Sequence, residues 1–237
     1  MIYPKLEKTP IKEIIFSISY DEIVDKECFG KFVDLSFIKE KFSDIKPSGV
    51  LEFSNKGLKQ SNDGSNFHLR NHNEVLQLRT GSFSYHFLNT YRNYNEILNT
   101  LINFWNEFDK VTKDNLTVTS ISVRYINVIE IDNDENLPSR MVQLYPKQSS
   151  DRNVINFQNS IQFTYNKFPD YLVNVVSTKP RKDIILLDIT VNKKVNNENV
   201  KQGGLKNLFE PLQEIKNKVF FDSITAKALI KYINQNT

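Results

Sequence analysis

The chain has 237 residues, 39% of them hydrophobic and including 17 Phe and 10 Tyr, enough to bury a sizeable core. Its 31 Lys+Arg against 28 Asp+Glu leave a formal net charge of +3 dispersed along the length, which argues against a strongly electrostatic nucleic-acid binder. The lone cysteine, Cys28, excludes an internal disulfide framework and a cysteine-rich zinc site.

The opening MIYPKLEKTPIKEIIFSISY has no cationic segment followed by a long apolar run, so it does not read as a signal peptide. No run of about 18 apolar residues occurs, so no transmembrane helix is expected. The expected compartment is the cytoplasm.

After a Pro-bounded lead-in, Ile14, Phe16, Ile18 and Tyr20 alternate with Glu13, Ile15, Ser17 and Ser19, the period of a first strand. Asp34 is the expected N-cap of a short helix with apolar positions Leu35, Ile38 and Phe42, stopped by the Lys46-Pro47-Ser48-Gly49 run. Short strands are predicted at 50–53, around Phe67 and Leu69, and over 74–80, with turns at Asn62-Asp63-Gly64 and Asn71-His72-Asn73. At Gly81 the apolar parity shifts to Phe83, Tyr85 and Phe87, which predicts a bulge or bend in one long strand.

The period then changes. Tyr94, Ile97, Leu98, Leu101, Ile102, Trp105 and Phe108 make an i, i+3, i+4 stripe, and Asn93 with Glu96 resembles a capping box. Next comes the clearest strand, VTSISVRYINVIEI over 118–131. One of its faces carries Ile121, Val123, Tyr125, Asn127, Ile129 and Ile131; the other carries Arg124.

A loop is expected at 132–136, followed by an irregular stretch to 160 with one candidate strand at 141–144. Ile161, Phe163 and Tyr165 alternate, Pro169-Asp170 is read as a turn, and strands follow at 171–178 and 183–191, joined by a turn at 179–182. The Asn/Lys-rich stretch 192–204 is the expected mobile loop. Leu205, Leu208, Phe209, Leu212, Ile215 and Val219 predict a helix bent at Pro211, and Asp222 is the expected cap of a last helix through Ala228, Leu229, Tyr232 and Ile233.

Strand, helix, several strands and a long helix, then the same run with less regularity, predict an α+β protein. The expectation is one unit over 1–237 made of two related halves, about 1–115 and 116–237. They would share a largely antiparallel sheet in a duplicated helix-grip or TATA-binding-protein-like arrangement.

Local motifs for chemistry are few. His68 and His72 have metal-ligand spacing for a helix but fall in a strand and a turn, and Asp132, Asp134 and Glu135 lack the glycine and terminal glutamate of a calcium loop. There is no G-x-S-x-G elbow, no phosphate loop and no G-x-G-x-x-G. Neither a catalytic set, a metal nor a cofactor is expected. The candidate site residues are three polar groups within apolar strands: Arg124, Asn127 and Asp188. Their structural reading is an Arg124–Asp188 pair and an amide satisfying a backbone group; their functional reading is a ligand-binding floor.

The segments LEKTPIKEIIFSISY, SVRYINVIEI, IILLDITV and LKNLFEPLQEIKNKVFFDSIT, with the Arg-Tyr-Ile-Asn of residues 124–127 as the most specific part, resemble a sporadically distributed family of uncharacterised prokaryotic proteins of about this length. That resemblance implies an association with mobile elements or anti-phage defence and carries no catalytic residues. The expected function is a non-catalytic binding or adaptor module with protein partners, homodimerisation included. A small-ligand-binding helix-grip protein is the first alternative and a nucleic-acid-binding protein the second.

Overall fold

The computed structural model describes residues 3–233 apart from 5, 22–23, 48–49, 55–56, 62–65, 89–92, 114–115, 131–157, 182 and 196. The expected loop at 132–136, the strand at 141–144 and the turn at 62–64 lie outside the described residues.

The described elements are α+β. Strands β1 (Ile11–Tyr20), β2 (Asp44–Pro47), β5 (Phe67–Arg70), β6 (Glu74–Arg79), β7 (Ser82–Leu88), β8 (Val118–Glu130), β9 (Gln158–Tyr165), β10 (Phe168–Arg181) and β11 (Ile184–Lys194) build one nine-stranded sheet in the order β2-β5-β6-β7-β1-β8-β11-β10-β9. Every neighbouring pair in it is antiparallel. Strands β3 (Val50–Ser54) and β4 (Gly57–Ser61) pair as a separate hairpin. The helices are α1 (Lys26–Val33), α2 (Ser36–Lys41), α3 (Tyr94–Val111), α4 (Asn197–Ser223) and α5 (Ala226–Ile230).

Strict alternation decides which face each strand buries. Ile14, Phe16, Ile18 and Tyr20 of β1, Phe83, Tyr85 and Phe87 of β7, Ile121, Val123 and Tyr125 of β8, and Ile185, Leu187, Ile189 and Val191 of β11 all enter one hydrophobic core. The helices supply its other side. Phe108 of α3 meets Phe29 and Phe32 of α1 and Phe83 of β7, with ring centroids 5.3 to 5.6 Å apart, so one aromatic cluster joins helix to sheet. Phe209, Leu212, Ile215 and Val219 of α4 cover the β8–β11 side. The Tyr94 hydroxyl donates to the Phe209 carbonyl at 2.7 Å and ties the two long helices together.

Several local expectations change in three dimensions. Asp34 is the C-cap of α1, whose Phe29, Phe32 and Val33 are buried; Asp25 caps its start by accepting from Glu27 N at 3.0 Å. Lys46 and Pro47 lie in strand β2, where Pro47 is tolerated because β2 is an edge strand. Gly81 is no bulge. Its φ of +77° makes the tight turn of a β6–β7 hairpin that pairs Arg79 with Ser82, so the parity shift marks two strands.

Asn93 caps α3 by accepting from Asn95 N at 2.9 Å. Pro169-Asp170 belongs to β10, and the turn sits three residues earlier at Asn166 and Lys167. Strand β10 also continues through Lys179 to Arg181. The stretch 192–204 is largely ordered structure: β11 runs to Lys194 and α4 begins at Asn197, with Gly204 at φ 67° and ψ 153° interrupting its helical path. Pro211 remains inside α4. Asp222 is also in α4, and the cap of α5 is Thr225, whose hydroxyl oxygen accepts from Ala228 N at 3.3 Å.

Candidate functional site

β8 puts Arg124 and Asn127 on opposite faces of the sheet, so the three sequence candidates fall into two places. Arg124 sits on the face away from α3 and α4, opposite Thr190 and two residues along β11 from the level of Asp188. Its Nε donates to both Asp188 carboxylate oxygens at 2.9 and 3.0 Å, and its Nη2 donates to Oδ2 as well. These bonds to Asp188 push the arginine's already high pKa further up.

Two strands away the same face carries a second fixed group. The Glu13 carboxylate lies 2.7 Å from His86 Nδ1, and His86 Nε2 lies 3.1 Å from Ser84 Oγ. A carboxylate can only accept, so Nδ1 carries a proton, and in the neutral ring Nε2 accepts from the Ser84 hydroxyl. Arg124, Asp188, Ser84 and His86 line a shallow depression of about 650 Å³, together with Gln77, Arg79 and Asn174. The Glu–His–Ser order is that of an activated nucleophile. Ser84 nevertheless lies in β7, flanked on both sides by β6 and β1, so its neighbouring backbone N–H groups point along the sheet into ladder bonds. They cannot converge on an oxyanion above the face.

Asn127 enters the opposite side, where the sheet meets α4. It pairs with Ile11 beside a β1 bulge at Lys12, and the Pro10 carbonyl accepts from Val128 N at 2.8 Å. The side chain is 1% exposed. Its Nδ2 donates to the Leu187 carbonyl at 3.0 Å and, more weakly, to that of Tyr125 at 3.4 Å. That fixes the amide and leaves its Oδ1 to accept.

Beside Asn127 lies a chamber of about 330 Å³ between the lead-in, β8 and α4. Tyr3, Pro4, Leu6, Pro10, Ile11, Phe220 and Phe221 give apolar walls, Tyr3 stacking on Phe221 with centroids 4.6 Å apart. Thr9, Asn127, Lys216 and Asn217 are the polar groups. Lys216 is only 9% exposed, and its Nζ stands 4.1 Å from the centre of the Tyr125 ring. Among the described residues no carboxylate lines the chamber. Burial pushes the Lys216 amine down to about 7.

Sequence reading passed over Lys216, Glu13, His86 and Ser84. The signal for Lys216 was positional. It lies four residues after Leu212 and three before Val219, a cation set on the apolar stripe of a helix. Ser84 and His86 share a strand face by their spacing, but only the β1–β7 register brings Glu13 to them.

Among the described residues no group of three or more His, Cys, Asp or Glu is placed to hold a metal ion, and no helix is long and apolar enough to cross a membrane. No family model matches the chain, and no curated protein matches it.

Proposed function

We propose that this is a non-catalytic binding protein whose ligand site is the chamber between the lead-in, β8 and α4. The observation that carries the reading is Lys216: a nearly buried amine facing a partly open, mostly apolar space, with neither a hydrogen bond nor an ion pair engaging it among the described residues. Burying a cation without a partner destabilises a fold, and a ligand that supplies the partner recovers that loss. A thermal-shift screen of metabolites against the wild type and Lys216→Met tests it. The expected result is a compound that stabilises the wild type and leaves the variant unmoved; equal responses in both proteins count against the chamber.

The same reading takes the fold as two related halves in a helix-grip-like arrangement. Its support is the strand order on either side of the β1–β8 seam. Going outward, β1 meets β7, β6 and β5, while β8 meets β11, β10 and β9, so each first strand pairs with the last strand of its own half. A long helix follows that last strand in both halves.

A second reading, supported by the fixed polar groups of the open face, is an adaptor that docks a protein partner there, a second copy of the chain included. The resemblance carried by Arg124–Asn127 extends this to a component of a mobile-element or anti-phage defence system. A constant neighbouring gene whose product co-purifies with the wild type and is lost with Arg124→Glu supports it; co-purification indifferent to that change sinks it. Nucleic-acid binding is a third proposal, and a binding affinity that does not fall with added salt closes it.

A further inference from the structure

We infer that the chamber beside Asn127 is built for a small monocarboxylate with an apolar body, the Lys216 amine supplying the counter-charge. The inference rests on the reading of that chamber as a ligand site and names the chemistry it takes.

The chamber offers one cationic group and apolar walls. The surroundings of Lys216 contain no internal rival for its charge. On its own helix Glu214, Lys218 and Asp222 are engaged elsewhere: Glu214 with Lys167 at 2.7 Å, and Asp222 with Lys218 at 2.9 Å and Tyr165 at 3.1 Å. From β8 the facing groups are the Tyr125 ring and the Asn127 amide; from the lead-in they are Tyr3 and Thr9.

The π-face of Tyr125 favours the charged amine but cannot neutralise it. An anion can. Phosphate-like anions fit poorly, because they need several converging donors or a helix N-terminus, and Lys216 lies in the interior of α4. A cationic ligand meets a like charge, and a fully neutral one leaves the amine without a counter-charge.

Two polar groups refine the fit. Thr9 Oγ1 accepts from Ile11 N at 3.0 Å, which leaves its own O–H to donate toward a carboxylate. Asn127 Oδ1 can accept only from a donor, so an acid bearing a hydroxyl or amide N–H fits better than the bare acid.

Titration calorimetry with hexanoate and benzoate, and with hexanamide and benzamide as neutral isosteres, tests the proposal on the full chain. The acids are expected to bind about tenfold more tightly than the amides, since a charge-assisted hydrogen bond is roughly twice as strong as a neutral one and tenfold is about 1.4 kcal/mol. Their affinity should fall from about pH 6 to about pH 9 as the amine loses its proton, and binding near pH 7 to 8 should take up protons. Lys216→Met should abolish binding of the acids while keeping the fold.

Acid binding unchanged in Lys216→Met overturns the carboxylate inference and counts against the chamber as well, whereas amides that bind as well as acids overturn that inference and leave the chamber as a ligand site. The same holds if none of the four probes binds while the screen yields a Lys216-dependent ligand without a carboxylate. Silence from the probes and the screen alike removes both.

Discussion

The amine of Lys216 stands 4.1 Å from the centre of the Tyr125 ring, in a chamber that offers it an aromatic face and no carboxylate among the described residues. A helix stripe built for burial thus delivers a cation to the sheet, and the folded protein holds it without a full charge partner.

The first prediction concerns pH. The Lys216 amine falls from 10.5 in the unfolded chain to about 7 in the fold. Between those values the unfolded state holds a proton that the folded state has released, so this group makes stability rise with pH across that window. Its destabilising effect is fully present below about 7. Lys216→Met should be more stable than the wild type near neutrality, and the gap should close toward pH 10. Urea midpoints at several pH values measure this; parallel profiles for the two proteins refute it.

Asn127→Asp introduces a carboxylate beside the amine. The Lys216 pKa should rise, and binding of hexanoate or benzoate should be lost to internal competition. The Leu187 carbonyl loses the amide donor at 3.0 Å, a cost of about 1–3 kcal/mol that the new charge pair partly offsets. NMR titration of the lysine side chains decides the matter, and an amine still titrating near 7 contradicts the expected proximity.

The Arg124–Asp188 pair should be modest in stability terms. The Arg124 side chain is 45% exposed and that of Asp188 20%, so water screens both. Arg124→Met should cost roughly 1 kcal/mol and leave a folded protein with an unchanged denaturant slope. Wholesale unfolding would show that the pair is structural and remove it from the proposed docking face.

Ser84 should resist acylation. Its hydroxyl is held by His86 at 3.1 Å, but strand pairing on both sides turns the nearby N–H groups away from any oxyanion. A fluorophosphonate probe should leave Ser84 unlabelled at neutral pH, and labelling abolished by Glu13→Ala would instead make this face an esterase-like centre. Imidazole ¹⁵N shifts should report His86 protonated at Nδ1 in the wild type.

How much of this was legible in the sequence follows from what each signal depends on. Alternation over Ile14–Tyr20 and Ile121–Ile129 is local, and it assigned buried faces to β1 and β8 in agreement with the core. The α3 stripe from Tyr94 to Phe108 was equally plain. The shift at Gly81 was visible but ambiguous, because a bulge and a hairpin turn both invert parity, and only pairing separates them.

Helix α1 was passed over although Asp25 and the Phe29, Phe32 and Val33 spacing mark it locally; only the Phe108 that covers it lies far along the chain. The candidate site suffered more from the same dependence. Arg124, Asn127 and Asp188 stood out as polar residues in apolar strands. Their division between two faces follows from β8 geometry, whereas Lys216 comes to Asn127 only through the docking of α4.

The β1–β8 seam has a consequence for how the protein is made. β1 leaves the ribosome well before β7 and β8, and Ile14 finds its two neighbours only when Phe87 and then Tyr125 have followed. Until then a strand with Ile14, Phe16 and Ile18 on one side presents two open edges, the template on which foreign strands pair. β1 therefore stays open until β8 has followed, β8 in turn waits for β11, and the lead-in that walls the ligand chamber can dock only after α4 has closed behind it.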